Sequence, residues 1–194
     1  MLEQRIQQQF FDSADLQYQS AETLARPIAE AAGALHGAIT AGGKVMACGR
    51  GAAALLAPLF AAAFVGRFER ERPGLAAMAL TATPALGDLA GFEQVYAKQV
   101  QALGQPGDVL LLLDAPGAEI GAGLAAIRAA HYKDMTVVML ASQGGAVWRE
   151  TLIETDVLIN VPHERASRVL ELQLLVLHCL CDAVDLQLMG DLEP

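Results

Sequence analysis

The chain has 194 residues, 54% of them hydrophobic and 18% charged, with a formal net charge of −9 at pH 7. That length holds one domain with a sizeable core and is short for two, and the apolar content excludes intrinsic disorder and points to an apolar subunit interface. Thirteen Lys and Arg against 22 Asp and Glu offer little clustered positive charge to displace counterions, so direct nucleic-acid binding is disfavoured.

The first 40 residues read as helix, with Leu2, Ile6, Phe10, Leu16, Leu24, Ile28, Leu35 and Ile39 as the apolar positions and breaks near Ser20 and Pro27. Pro27 fits the first turn of a second helix, where its missing N–H costs nothing. The opening run Met1-Leu-Glu-Gln-Arg-Ile-Gln has no apolar core of the signal-peptide kind. The longest apolar runs, such as 109–113, fall far short of the ~20 residues of a membrane span. Cys48, Cys179 and Cys181 form no CxxC pair and leave an odd count, as expected of reduced thiols. A cytoplasmic protein with no membrane contact is the expectation.

Five β-prone runs follow, at 44–49, 75–80, 108–114, 136–141 and 156–161, each apolar throughout instead of alternating. Strands covered on both faces read this way. The stretches 52–68, 92–103 and 117–130 read as helices between them, Gly144-Gly145 as a turn into a short helix, and residues from about 165 to 188 as a long last helix. Strand–helix alternation predicts right-handed crossovers and an α/β fold: a doubly wound, five-stranded parallel sheet with helices on both faces and long terminal helices. The whole chain, 1–194, is expected to be a single domain, with N-terminal helices for oligomerisation (1–40), a sheet unit (41–162) and a C-terminal helix (163–190).

In such sheets ligands bind beyond the carboxyl ends of the strands, where the strand order reverses. Two Gly-containing loops fall there, Cys48-Gly49-Arg50-Gly51-Ala52-Ala53 and Asp114-Ala115-Pro116-Gly117-Ala118-Glu119. The candidate pocket therefore comprises Gly49, Arg50, Gly51, Ala53, Asp114, Ala115, Gly117 and Glu119.

Over nearly its whole length the chain resembles the sugar isomerase (SIS) domain family, phosphoheptose isomerase type. The resemblance rests on Gly42-Gly43-Lys-Val-Met-Ala-Cys48-Gly49-x-Gly51, Gly66-Arg67-Phe68-x-x-x-Arg72-Pro73 and Gly107-Asp108-Val109-Leu110-Leu111. Val95-Tyr-Ala-Lys-Gln-Val-x-Ala-Leu-Gly104, Lys133-Asp-Met-Thr-Val and Cys179-Leu-Cys-Asp182 are most similar to a non-catalytic branch, the DnaA initiator-associating proteins. The family implies a flavodoxin-like strand order, with the first and third strands as neighbours.

The resemblance implies isomerisation of sedoheptulose 7-phosphate through an enediol, with a glutamate after the first strand and a histidine on the last helix as base and acid. The matching positions are taken as Ala63 and Gln173, neither of which can transfer a proton, so no catalytic residue is assigned. His178 lies five residues beyond Gln173, about 140° round the helix, and reads as a packing histidine. Leu59 stands where some members carry a metal-ligating histidine, so neither metal nor cofactor is implied. The Ser/Thr-rich phosphate loop of the isomerases is replaced by the 114–119 loop, and the loop at 81–91 is shorter than theirs. A carboxylate about 4 Å from a phosphate oxygen costs roughly 4 kcal/mol at an effective dielectric of 20. Either Arg50 pairs with Asp114 and fills the pocket, or Arg50 holds an anion. Trp148 reads as a packing residue, and Arg67, Arg70 and Arg72 as a solvated or subunit-facing charge network.

The expected function is thus a homotetrameric, non-catalytic SIS-domain scaffold that binds the DnaA replication initiator through Leu188 and Met189. The alternatives are a phosphoheptose isomerase and a sugar-phosphate sensor with a degenerate site.

Overall fold

Residues 2–40 form one unbroken helix, α1 (Leu2–Thr40), in a computed structural model that describes residues 1–142 and 145–190. The two helices expected from Ser20 and Pro27 are therefore one. A proline inside a helix costs about 3 kcal/mol, because it removes a hydrogen bond and crowds the preceding turn. Burial on both sides of Pro27 offsets that cost: Ser20 and Leu24 before it, and Ala31, Ala32, Leu35 and Ala38 after it, are buried. The partner of α1 is the last helix, α7 (Ala166–Met189). Ser13 donates to Glu171 at 2.8 Å and Arg168 to the Gln9 carbonyl at 2.9 Å.

Five parallel strands lie in the order β2-β1-β3-β4-β5: β1 (Val45–Gly49), β2 (Ala77–Ala79), β3 (Val109–Leu113), β4 (Thr136–Ala141) and β5 (Val157–Asn160). Alternate residues feed two cores. Val45, Ala47, Leu111, Leu113 and Leu140 pack under α1, α2 (Leu56–Val65) and α7. Met46, Cys48, Leu110, Leu112 and Met139 pack under α4 (Val95–Leu103), α5 (Gly121–Tyr132) and Trp148 of α6 (Ala146–Thr151). This is the doubly wound sheet that apolar, non-alternating strands imply. The 81–91 segment, read as a loop, contains the short helix α3 (Pro84–Ala90), started by Pro84 and capped by the Thr83 hydroxyl.

Two buried carboxylates fasten the amino-terminal edge of the sheet. Asp108 accepts from the Lys44 and Gln105 amides, each at 2.9 Å, and from the Lys44 ammonium. Asp156 accepts from the Val137 and Ile153 amides and meets His131 Nε2 at 2.7 Å. The candidate pocket residues lie at the opposite edge. There the register pairs Gly49 with Leu113, so Arg50 and Asp114 leave neighbouring strands side by side.

Candidate functional site

The crevice opens where β1 and β3 diverge. Its floor is Gly49, where a side chain would run 2.7 Å from the Ala53 carbonyl and the Ala54 Cα, so only glycine lets the following 3-10 turn (Gly51–Leu55) fold back on the strand. Gly51 then takes φ +54, a left-handed conformation that glycine adopts without a Cβ clash. The Tyr96 hydroxyl donates to the Gly49 carbonyl at 2.6 Å. Burial pushes the phenol up to about 12, which keeps it a donor at neutral pH.

Arg50 and Asp114 meet across this crevice, and each is only 5% exposed. Arg50 Nε donates to Asp114 Oδ1 at 3.1 Å, one terminal nitrogen pairs with the same oxygen, and the other donates to the Glu119 carbonyl. Trp148 Nε1 reaches Asp114 Oδ2 at 3.1 Å, and the Ser142 hydroxyl approaches it at 3.4 Å. The indole also lies under the guanidinium, 5.0 Å from the Arg50 Cζ to the ring centroid, within cation–π range. Gly123 makes room for both, since a Cβ there would stand 2.9 Å from the indole and 3.1 Å from Arg50 Cδ. Trp148 therefore packs, as its sequence context suggests, but on the ion pair itself. Tyr96, Ser142 and Trp148 belong to this network and lie outside the eight residues picked from the loops. Spacing gives no sign of them, because each comes from a different helix or strand end.

The pair divides the crevice into two lobes. One, of about 310 Å³, is bordered by Gly49, Gly51, Phe92, Tyr96, Ala118 and Glu119. The other, of about 380 Å³, is bordered by Asp114, Ala115, Gly117, Ser142, Trp148 and Glu164. Arg50 lines both, and Ala53 is buried beneath. Glu119 contributes its backbone carbonyl to Arg50 while its side chain is exposed.

The residues aligned with the acid and base do not stand together. Gln173 is fully buried and donates to the carbonyls of Asp114 at 2.7 Å and Leu140 at 3.3 Å, serving as a tie between α7 and the strand ends. Ala63 instead borders a separate cavity of about 120 Å³ with Leu59, Phe68, His178 and Cys181. The His178 ring lies 5.3 Å from that of Phe68. Facing away from Gln173 thus turns His178 toward Ala63. The missed signal was the stripe Leu174, Leu177, His178 and Cys181, whose spacing puts all four on the side of α7 that meets α2. Burial, reinforced by Asp185, pushes the Cys181 thiol up to about 12, so it stays protonated.

The arginine cluster also divides. Arg67 pairs with Glu71 on the surface and Arg70 donates to the Gly190 carbonyl, as solvated residues would. Arg72 does not: its side chain is 2% exposed and it holds Asp185 at 2.5 Å and the carbonyls of Ala63 and Phe64. A long side chain among alternating charges looks solvated in sequence, but here it fastens the end of α2 to α7. Leu188 is half-buried against the core and Met189 is exposed. Among the described residues no group of three His, Cys, Asp or Glu side chains could hold a metal ion, and no helix is long and apolar enough to cross a membrane.

Comparison with known proteins places these features in a family. The SIS domain model matches residues 9–142. A protein named phosphoheptose isomerase from Methylibium petroleiphilum is 58% identical over 98% of this chain and 97% of its own length. One of the same name from Azoarcus is 46% identical over 96% of each. Among solved structures, phosphoheptose isomerases from Neisseria gonorrhoeae and Francisella tularensis superpose with a TM-score of 0.88 each, at 36% and 34% identity. They cover 95% of this chain and 99% and 98% of their own. These relatives overturn the expectation of a non-catalytic scaffold for the DnaA initiator, since both the sequence and the structural neighbours are isomerases by name. Of the short runs that suggested the scaffold branch, two lie on α4 and α7, and the third, Lys133-Asp-Met-Thr-Val, leads from α5 into β4. On the two helices packing restricts the choice of residue whatever the activity.

Proposed function

We propose, for a chain that belongs to the SIS domain family and has phosphoheptose isomerases as its relatives, that it recognises a phosphorylated ketose of the sedoheptulose 7-phosphate class and interconverts it with the aldose isomer. The observation that carries this reading is the 58% identity to a phosphoheptose isomerase across essentially both full lengths. Moving a proton between C1 and C2 through an enediol needs a titratable group beside those carbons. In the cavity between α2 and α7 that group is His178, because the neighbouring Cys181 thiol stays protonated. Ala63 supplies only a methyl group, so the second proton-transfer group comes from another copy of the chain. A homotetramer is the arrangement proposed to bring it. The apolar groove of about 370 Å³ between α1 and α7, and the exposed Leu2, Ile6, Phe10 and Phe11, support assembly.

A second reading, binding without turnover, is favoured by two particular features: the methyl group at Ala63 and the Arg50–Asp114 pair within the crevice. One experiment separates the two. Sedoheptulose 7-phosphate is titrated calorimetrically into the wild type and His178→Asn, and aldose product is assayed in the same samples. Turnover by the wild type that falls at least about 100-fold in His178→Asn, with binding retained, supports the isomerase. Binding without product in either protein supports the second reading.

A further inference from the structure

The Asp114 carboxylate sits in a set of anion donors. Arg50 Nε and one terminal nitrogen point at Oδ1, and Trp148 Nε1 at 3.1 Å and the Ser142 hydroxyl at 3.4 Å point at Oδ2. Three different elements supply these donors, converging on one point at the carboxyl end of β3 where the crevice divides into its lobes. Arginine, indole N–H and hydroxyl are the groups that recognise a phosphate or carboxylate from solution. The surroundings are nearly dry, because Arg50 and Asp114 are 5% exposed and Trp148 is 3% exposed.

We propose that Asp114 is a tethered anion: it occupies a latent receptor made by Arg50, Ser142 and Trp148, and its removal converts that receptor into a site for small oxyanions, inorganic phosphate first. A tethered group is always present at high effective concentration, so a free phosphate competes poorly while Asp114 is there. Asp114 rather than a missing basic residue then limits how tightly the chain holds the phosphate of a sugar ligand. The receptor itself stands without the proposed function; only the consequence for sugar phosphates rests on that reading.

The chain reports on this site directly, because Trp148 is its only tryptophan. The experiment titrates inorganic phosphate, and separately acetate, into the wild type and Asp114→Ala, following Trp148 emission and thermal unfolding. The expected result is saturable binding by Asp114→Ala at least about tenfold tighter than by the wild type, with phosphate and acetate both raising its unfolding temperature. The double variant Arg50→Met/Asp114→Ala loses that gain. A folded Asp114→Ala that binds phosphate no better than the wild type overturns the proposal.

Should Asp114→Ala not fold, the wild type decides. Saturation of its Trp148 signal by submillimolar phosphate overturns the proposal, and no response up to about ten times that range supports it. Sedoheptulose 7-phosphate is run in parallel. Binding of phosphate but not of the sugar phosphate by Asp114→Ala supports the tethered anion and contradicts the proposed function. Failure with inorganic phosphate while the wild type still binds or turns over the sugar phosphate does the reverse.

Discussion

Arg72→Leu should be among the most damaging single substitutions in this protein. The Arg72 and Asp185 side chains are each 2% exposed, and Asp185 Oδ2 already has no hydrogen-bond partner among the described residues. Removing the guanidinium leaves that carboxylate buried without a counter-charge and frees the carbonyls of Ala63 and Phe64. Breaking one side of a buried pair costs about 3–5 kcal/mol, whereas replacing both sides with apolar groups is often neutral. For a chain of this size each kcal/mol lowers the unfolding temperature by about 2–4 °C, giving a loss of roughly 6–20 °C. Urea unfolding at pH 7 of the wild type, Arg72→Leu and Arg72→Leu/Asp185→Leu would measure it. The double variant should recover most of the loss, and the slope of free energy against urea should stay constant. A loss below about 1 kcal/mol in the single variant, the size of an exposed pair, would mean that Arg72 and Asp185 are not held as a buried pair.

Thiol chemistry offers a second test. Burial raises Cys48, Cys179 and Cys181, but Cys179 alone is partly exposed, so Cys48 and Cys181 should react with a disulfide reagent only at the rate of unfolding. Rapid labelling of either at pH 8 would contradict their burial. Asp134 is the one described non-glycine residue with positive φ, at 54°, in the exposed turn before β4. Asp134→Val should therefore cost about 1–2 kcal/mol although it touches no core, as read by urea unfolding. Unchanged stability would show that the turn relaxes to another conformation.

The sheet was legible because its strands are unbroken apolar runs, a pattern that requires cover on both faces and little else. The five runs lie within two residues of the observed strands. That Arg50 and Asp114 pair is one of the two alternatives that the loops and the family's strand order offer, and register brings the ends of β1 and β3 together to make it. What sequence did not convey was set by packing between distant helices. Pro27 looked like a break because its cost is local and the burial that offsets it lies on α7. Arg72 looked solvated because Asp185, its partner, is 113 residues away. Gln173 was matched to the family's histidine position along the chain. Only the rotation of α7 shows that it ties strand ends together while His178 faces Ala63. The scaffold reading failed for a related reason: the groups missing at two positions stood against a resemblance to phosphoheptose isomerases that spans the whole chain.

That this chain handles a phosphorylated ketose is tested by incubating the purified wild type with sedoheptulose 7-phosphate and following aldose product by NMR. Product that accumulates with enzyme concentration, and that disappears in His178→Asn, is the predicted result. No product together with no calorimetric heat of binding would contradict it.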